Sequence, residues 1–378
     1  MPILLQHLFA IGGFHGILLF CLLTIGNENT KANKILGVWC LFLGLFFLGI
    51  LVNVQTSLNF FSFFINWNVY LPASFGALLY LYCRQAITDR RFSYIDILHI
   101  LPVLSCYLLN IDDLFTSAEM KLAWATEPAD TNYVFSLSQW ITYSQAFIYL
   151  GFSFQMVYKY QREAKNNLAN FNPEIFRWIW ILLILTLSVW SFKLVSSSET
   201  LYFLSVISDL IIIFLIYGVA LAQWRNPKLF KINQIEEIIT SIQDTKANNV
   251  QANSSSSRSL DSSTRESILT RVKQFMDDEH AYKDSNLNLL GLSELIGVST
   301  HHLSEALNQH EGKNFYQFIN DYRVNYVQKM LAQEQTTKIL DLAMTAGFSS
   351  KSTFNAVFKQ TTGLSPTQYR QTLSNISD

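Results

Sequence analysis

Two stretches of this chain, 299–308 and 349–359, carry hydrogen-bonding side chains at the spacing of successive helix turns. Thr300, His301, Ser304, Glu305 and Asn308 share one face of the first, and Lys351, Ser352, Asn355 and Lys359 one face of the second. Such groups, held out from a rigid helix, pair with base edges in a DNA major groove. Glu305 suits a cytosine amino group; pairing with a neighbouring side chain is its other reading. Ser299 opens the first helix, and Ser349, Ser350 and Lys351 open the second, where backbone N–H groups and the helix dipole favour a phosphate. Lys359 and Arg370 are placed to neutralise phosphates further along, and His302 and Thr353 border the two faces. His301 and His302 are adjacent, so they leave a helix in different directions and do not form a metal pair; one of them faces DNA. The sequence holds no Ser/His/Asp or Cys/His constellation, no metal-ligand spacing and no phosphate-binding glycine loop. Catalysis, a resident metal and a cofactor are therefore not expected.

The elements that position these residues follow from apolar spacing. Ile268, Val272, Phe275 and Met276 form one stripe, and a helix is expected over 287–296, broken at 297–299. Ser299 caps the next helix, which runs to about residue 310 and buries Leu303, Ala306 and Leu307. After Gly312 a long helix carries Phe315, Phe318, Ile319, Tyr322, Val324, Val327 and Leu331. The pattern then recurs. A helix over 339–346 offers Leu340, Leu342 and Ala343, and Gly347 turns the chain. Ser349 or Ser350 caps a helix that buries Phe354, Val357 and Phe358, Gly363 stops it, and Pro366 begins the last helix. An offset of 51 residues superimposes the two units: Ser299 on Ser350, Leu303 on Phe354, Leu307 on Phe358, Gly312 on Gly363. The arrangement is a duplicated helix–turn–helix.

The segment LDLAMTAGFSSKSTFNAVFKQTTGLSPTQYR, 340–370, resembles the signature of AraC-type transcription regulators, and the resemblance covers about 266–373. It rests on Gly347, Phe348, Phe354, Phe358, Lys359, Gly363, Pro366, Tyr369 and Arg370, with NFYQFINDYRVNYVQKML as the linking helix. The resemblance implies two recognition helices in successive major-groove turns of promoter DNA, about 34 Å apart, and RNA polymerase as a partner. Two features depart from the family pattern. Glu305 and Ala356 stand where members often carry arginine, and residues 265–378 hold eleven Lys or Arg against twelve acids. Non-specific affinity for DNA should be weak, so a homodimer is expected to be the binding form.

The rest of the chain has a different composition. Of 378 residues, half are hydrophobic and 15% charged, with a net charge of −1, so bulk charge selects no partner. Seven apolar runs precede Arg225: 3–25, 35–54, 60–83, 94–109, 134–158, 176–195 and 201–224. Most are long enough to cross roughly 30 Å of hydrocarbon. With seven spans the N-terminus lies outside, and twelve Lys and Arg fall inside against Lys121 and Lys193 outside, as the positive-inside rule requires. The first run lacks a preceding basic segment and exceeds the apolar core of a signal peptide. Cys21, Cys40, Cys83 and Cys106 all fall within runs and read as small buried hydrophobes. The expected fold is all-α: a seven-helix transmembrane bundle over 1–231, a helical extension and Ser-rich flexible linker over 232–264, and a soluble all-helical domain with two helix–turn–helix units over 265–378. The expected location is a bacterial inner membrane, crossed several times, with the C-terminal domain cytoplasmic.

Polar residues in hydrocarbon carry information because each costs free energy. His7, Asn66, Asn68, Gln139, Lys193 and Asp209 map to the outer halves of their runs and are candidates for a pocket that binds a small signal molecule. Hydrogen bonding between helices is the competing reading. Beyond Trp224, Leu229, Ile232, Ile235, Ile239 and Ile242 recur at helix spacing, as a coiled-coil extension or a helix along the membrane surface. Residues 244–266 then form a Ser- and Asn-rich tether, which transmits proximity better than torque. The leading reading is a membrane-embedded one-component transcription regulator responding to a small or membrane-derived signal. A transporter or membrane enzyme with an appended DNA-binding domain, and a membrane half that only anchors, are the alternatives. The signal, the operator and the sign of regulation are not legible.

Overall fold

The computed structural model describes residues 3–25, 30–54, 64–88, 92–117, 119–121, 133–170, 173–196, 201, 203–225, 261–334 and 337–377. Its regular elements are helices, and Leu168 and Asn288 form an isolated antiparallel bridge. Two units are distinguished: Met1–Tyr158 with Glu174–Glu236, and Lys159–Pro173 with Glu237–Asp378. The extension that carries Leu229 to Ile242, and the tether up to residue 260, lie outside the described residues.

In the first unit, α1 (Ile3–Thr24) packs on α2 (Lys31–Val54) through glycines. A Cβ added to Gly16 would stand 2.5 Å from the Cys40 carbonyl oxygen, so only a glycine admits this approach. A 3-10 helix (Trp67–Ser74) leads into α3 (Phe75–Thr88), and a second (Tyr94–Ile100) into α4 (Leu101–Leu109) and α5 (Ile111–Phe115). The long α6 (Tyr133–Asn167), α7 (Pro173–Val195) and α8 (Phe203–Arg225) follow. Several of these helices bury one stripe and expose another that is equally apolar. On α8, Ile212, Ile213, Ile216 and Val219 are buried, whereas Ile207, Leu210, Phe214, Tyr217 and Leu221 are exposed, Phe214 by 69%. On α1 the outward stripe is Ile11, Phe14, Leu18 and Leu22.

Seven long spans do not form among the described residues. Among the described residues four helices are long and apolar enough to cross a membrane: Ile3–Thr24, Lys31–Asn53, Phe176–Val195 and Phe203–Ala222. The third apolar run is broken by Pro72 and by Asn66, whose φ of 69° is left-handed, so its described part divides into a 3-10 helix and the 14-residue α3. The fourth divides likewise before Pro102. The fifth lies within α6, where Ser136, Ser138, Gln139, Thr142, Ser144 and Gln145 dilute its hydropathy.

The second unit holds α9 (Ser262–Asp278), α10 (Leu289–Ile296), α11 (Thr300–His310), α12 (Phe315–Gln333), α13 (Ile339–Thr345), α14 (Lys351–Thr362) and α15 (Pro366–Ser377). Helix α9 takes in residues 262–266, the end of the stretch read as tether. Helix α10 starts two residues later than its apolar pattern suggests, because the Asn288 side chain caps it by accepting from Gly291 N. The unit has two cores joined by α12. Phe315, Phe318 and Ile319 pack with Leu269, Val272, Leu292, Leu303 and Leu307; Val324, Val327 and Leu331 pack with Leu342, Ala343, Phe348, Phe354 and Phe358. Leu340, expected to pack, is 42% exposed. Each fully buried phenylalanine contributes about 1.5–3 kcal/mol by leaving water.

Past α11, Glu311 accepts a 2.6 Å contact from Lys273 of α9. This hydrogen bond, with the Lys273 charge behind it, holds the Glu311 carboxyl below the usual glutamate range. A depressed carboxyl contributes stability above its unfolded pKa and loses it as pH falls through the folded value. Acidification through the carboxylate range should therefore loosen the α9–α11 contact in hydrogen exchange, and Glu311→Gln should remove that part of the pH dependence. A pH profile unchanged by the substitution would contradict the assignment.

Candidate nucleic-acid interface

The two helix–turn–helix units are built by the same local rules. In the first turn Gly297 has φ 66° and Val298 N donates to Ser293 O at 3.0 Å; in the second Gly347 has φ 97° and Phe348 N donates to Ala343 O at 3.1 Å. Both close the preceding helix with the wide back-bond of a left-handed glycine cap. Gly347 has a second constraint, because a Cβ there would lie 2.6 Å from Tyr282 O. The following helices are capped alike: Ser299 Oγ accepts from His302 N at 3.2 Å and Ser350 Oγ from Thr353 N at 3.1 Å. Of the two serines considered for the second cap, Ser350 occupies it. The likeness extends past the helices. Gly312 and Gly363 are left-handed, and Asn314 with Gln317 and Ser365 with Gln368 form reciprocal caps, again 51 residues apart.

With Leu303, Ala306 and Leu307 of α11 and Phe354, Val357 and Phe358 of α14 committed to the cores, the opposite faces are left to solvent. On α14 the exposed residues are Lys351, Ser352, Asn355, Ala356, Lys359, Gln360 and Thr361, with Ser349 exposed just before the cap. This helix carries two lysines and no acid, so its surface suits a polyanion. On α11, Ser299, His301 and Asn308 are exposed, and Ser304 and His302 are half-buried. Asn308 Nδ2 donates to Ser304 O at 2.8 Å and to Ser304 Oγ at 3.2 Å, which holds its amide along the helix.

Other sequence candidates sit elsewhere. Thr300 and Thr353 are buried, the Thr353 hydroxyl accepting from Ser350 Oγ at 2.9 Å, so both belong to the cap and the core side. The Glu305 side chain is 7% exposed and lies 3.5 Å from Arg265 Nη1, the neighbour-pairing alternative. Arg370 is half-buried and donates to Thr337 O at 3.4 Å. Gln360, exposed one turn beyond Ala356, was not singled out in the sequence because an isolated glutamine there carries no periodic signal.

In the first unit a cavity of about 210 Å³ is lined by Trp39, Phe46, Tyr70, Phe135, Tyr143 and Trp190 among its aromatic residues, and by Ser138, Gln139, Thr142, Thr186 and Lys193 among its polar ones. Gln139 and Lys193 of the sequence candidates therefore reach the same space. Asp209 contacts Lys193 Nζ at 2.7 Å, and Lys193 also donates to Ser205 Oγ at 2.8 Å. Trp39 is 2% exposed, and its indole N–H has no hydrogen-bond partner among the described residues. The other candidates are not brought there. Asn68 accepts from Asn53 Nδ2 at 3.3 Å and donates to Phe46 O at 3.3 Å, Asn66 N donates to Asn53 Oδ1 at 3.1 Å, and the exposed His7 ring lies against Ile3 O at 2.8 Å. The aromatic wall was missed because aromatic residues in an apolar run carry no mark of whether they face a cavity or lipid.

A family model described as a helix-turn-helix domain matches residues 292–372. An uncharacterized HTH-type transcriptional regulator of Staphylococcus aureus (strain COL) is 35% identical over 109 residues, 28% of this chain and 14% of that protein. The melibiose operon regulatory protein of Escherichia coli (strain K12) is 44% identical over 55 residues, 15% of this chain and 18% of that protein. This chain thus spans about a seventh of the first relative. Among solved structures, the C-terminal domain of AraT, a response regulator from Geobacillus stearothermophilus, is 28% identical and covers 28% of this chain and 84% of that chain, with a TM-score of 0.26. The C-terminal part of the chain is a helix-turn-helix domain of the AraC type.

Proposed function

We propose that this protein is a membrane-embedded one-component transcription regulator: the first unit sits in a bacterial inner membrane and receives a signal, and the second binds promoter DNA in the cytoplasm. The observation that carries the reading is the pair of matching helices, α11 and α14, each tied down by an apolar face with a polar face left free. In this reading Lys351 and Lys359 neutralise phosphates, the N-terminus of α14 at Ser349 and Ser350 receives another, and Ser352, Asn355, His301, Ser304 and Asn308 meet base edges. Glu305 and Arg370 position the units from within the domain. RNA polymerase is the partner, and two copies bind together because the domain carries no excess of positive charge.

The membrane reading rests on the outward apolar stripes, which lipid covers at no cost and water does not. A cytoplasmic C-terminal domain with the N-terminus outside needs an odd number of crossings. The four long helices must then be joined by at least one of the broken or more polar elements, α3, α4 or α6. The cavity is the candidate signal site. Its ligand is small and largely apolar and offers an oxygen acceptor to the Trp39 N–H, while Asp209 neutralises Lys193, so an uncharged molecule fits better than an anion. The ligand acts by binding one arrangement of the protein better than another.

Genome-wide DNA occupancy of the tagged full-length protein, with matched transcript levels, tests the regulator reading. Discrete sites upstream of genes whose expression follows the protein are expected, and their absence would contradict it. Lys351→Ala or Lys359→Ala should weaken binding to all sequences alike and reduce the salt slope by about one. Asn355→Ala should cost about 1–3 kcal/mol and relax preference at one base pair, with the salt slope unchanged. Exchanging the first unit for an unrelated multi-span domain should abolish the signal response while promoter occupancy persists; a retained response would favour a mere anchor.

A further inference from the structure

The second unit includes Lys159–Pro173, a segment that in sequence lies between two apolar runs, far from the rest of the domain. Its residues 168–170 are built into the helix-turn-helix domain. Leu168 pairs with Asn288 as an antiparallel bridge, and Ala169 N donates to Leu287 O at 3.3 Å. Ala169 is fully buried in the core formed by α9 to α12. Its carbonyl accepts from Asn320 Nδ2 at 3.2 Å and from Arg323 Nη1 at 3.3 Å, both on α12. Asn170 makes three further contacts, all through its side chain. Its Oδ1 accepts from Arg323 Nη1 at 2.9 Å, and its Nδ2 donates to Ser285 O, just before the first helix–turn–helix unit, and to Gly347 O, in the turn of the second, at 3.1 Å.

Arg323 explains why an outside segment is needed. It is 0% exposed and sits on α12 between the two cores. Its other donors go to Tyr282 O at 2.7 Å and Asp284 O at 2.8 Å, and its guanidinium lies 5.7 Å from the centre of the Phe348 ring. Every acceptor is a carbonyl or amide oxygen rather than a carboxylate. Burial pulls its pKa down to about 10, with the Asp284 charge acting against that shift. A buried cation of this kind tolerates no missing acceptor, and residues 169 and 170 supply two. None of the contacted groups lies on the outward faces of α11 or α14, so the segment leaves the reading surface open.

We propose that residues 168–170 dock as an internal strut of the DNA-reading domain: Asn170 clamps the two helix–turn–helix units at a fixed mutual placement through one side chain. A displacement of this segment would change the placement of the recognition helices, and with it the half-site spacing the protein accepts.

The test uses full-length protein in lipid nanodiscs, with Asn170→Ala and Asn170→Asp. The aspartate keeps an acceptor for Arg323 and loses both donations, so it separates clamping from satisfaction of the buried charge. Hydrogen exchange needs no DNA: the Ala169 amide should be protected in the parent protein, and the peptides spanning 283–288 and 345–349 should exchange about tenfold faster in both variants. Operators with two or three base pairs inserted between half-sites should be rejected by the parent protein and tolerated by the Asp variant. A rapidly exchanging Ala169 amide in the parent protein would overturn the proposal, as would variants that keep both parent exchange and spacing discrimination. Failure of every form to bind duplex DNA, with the exchange pattern as expected, would instead count against the regulator reading alone.

Discussion

Two half-domains that read DNA together must hold a fixed distance and angle, because the major groove returns to one face of the duplex only once per turn. In this protein the constraint falls on one helix and one buried cation. Helix α12 sends Phe315, Phe318 and Ile319 into one core and Val324, Val327 and Leu331 into the other, with Arg323 in the seam between them. The guanidinium fixes the seam because its donors are directed and its burial punishes any loss of an acceptor. A purely apolar seam would pack as well and would slide more freely. The glycine at 347 belongs to the same joint: its backbone runs against Tyr282 and Lys283, and its carbonyl receives Asn170.

The reading faces follow from what the cores take. Once Leu303 and Leu307, or Phe354 and Phe358, are buried, helix periodicity leaves a polar face outside, and the serine caps set where each face begins. The faces are unequal. Helix α14 offers two lysines and no acid, whereas the acid on α11, Glu305, is turned toward Arg265 and withdrawn from any base. In the proposed reading the second helix–turn–helix is thus the electrostatic grip, and the first helix–turn–helix depends more on hydrogen bonding.

Much of the second unit was legible in the sequence, because its signals are local. Glycine turns, serine caps and apolar pairs at helix spacing located every helix of the duplicated unit, and the 51-residue offset exposed the duplication. Helix existence was the easy part; facing was harder. Thr300 and Thr353 looked like reading residues because a threonine at the first turn of a helix fits a cap as well as a contact. The strut was not legible at all. Residues 168–170 sit between two apolar runs, in a segment whose basic residues were read as marking the expected topology, and nothing local joins Asn170 to Ser285 or Gly347, which lie 115 and 177 positions away. In the first unit, hydropathy found the apolar runs but not their breaks. Pro72, Pro102 and the left-handed Asn66 convert parts of two runs into 3-10 helix, and no window average registers them.

The central claim is that two recognition helices, held as a rigid pair, read one face of duplex DNA. Hydroxyl-radical footprinting of the full-length protein on an occupied promoter measures this most directly. Each copy should leave two protected patches on the same face, about ten base pairs apart from centre to centre. A single patch per copy, or two patches out of phase with the helical repeat, would contradict it.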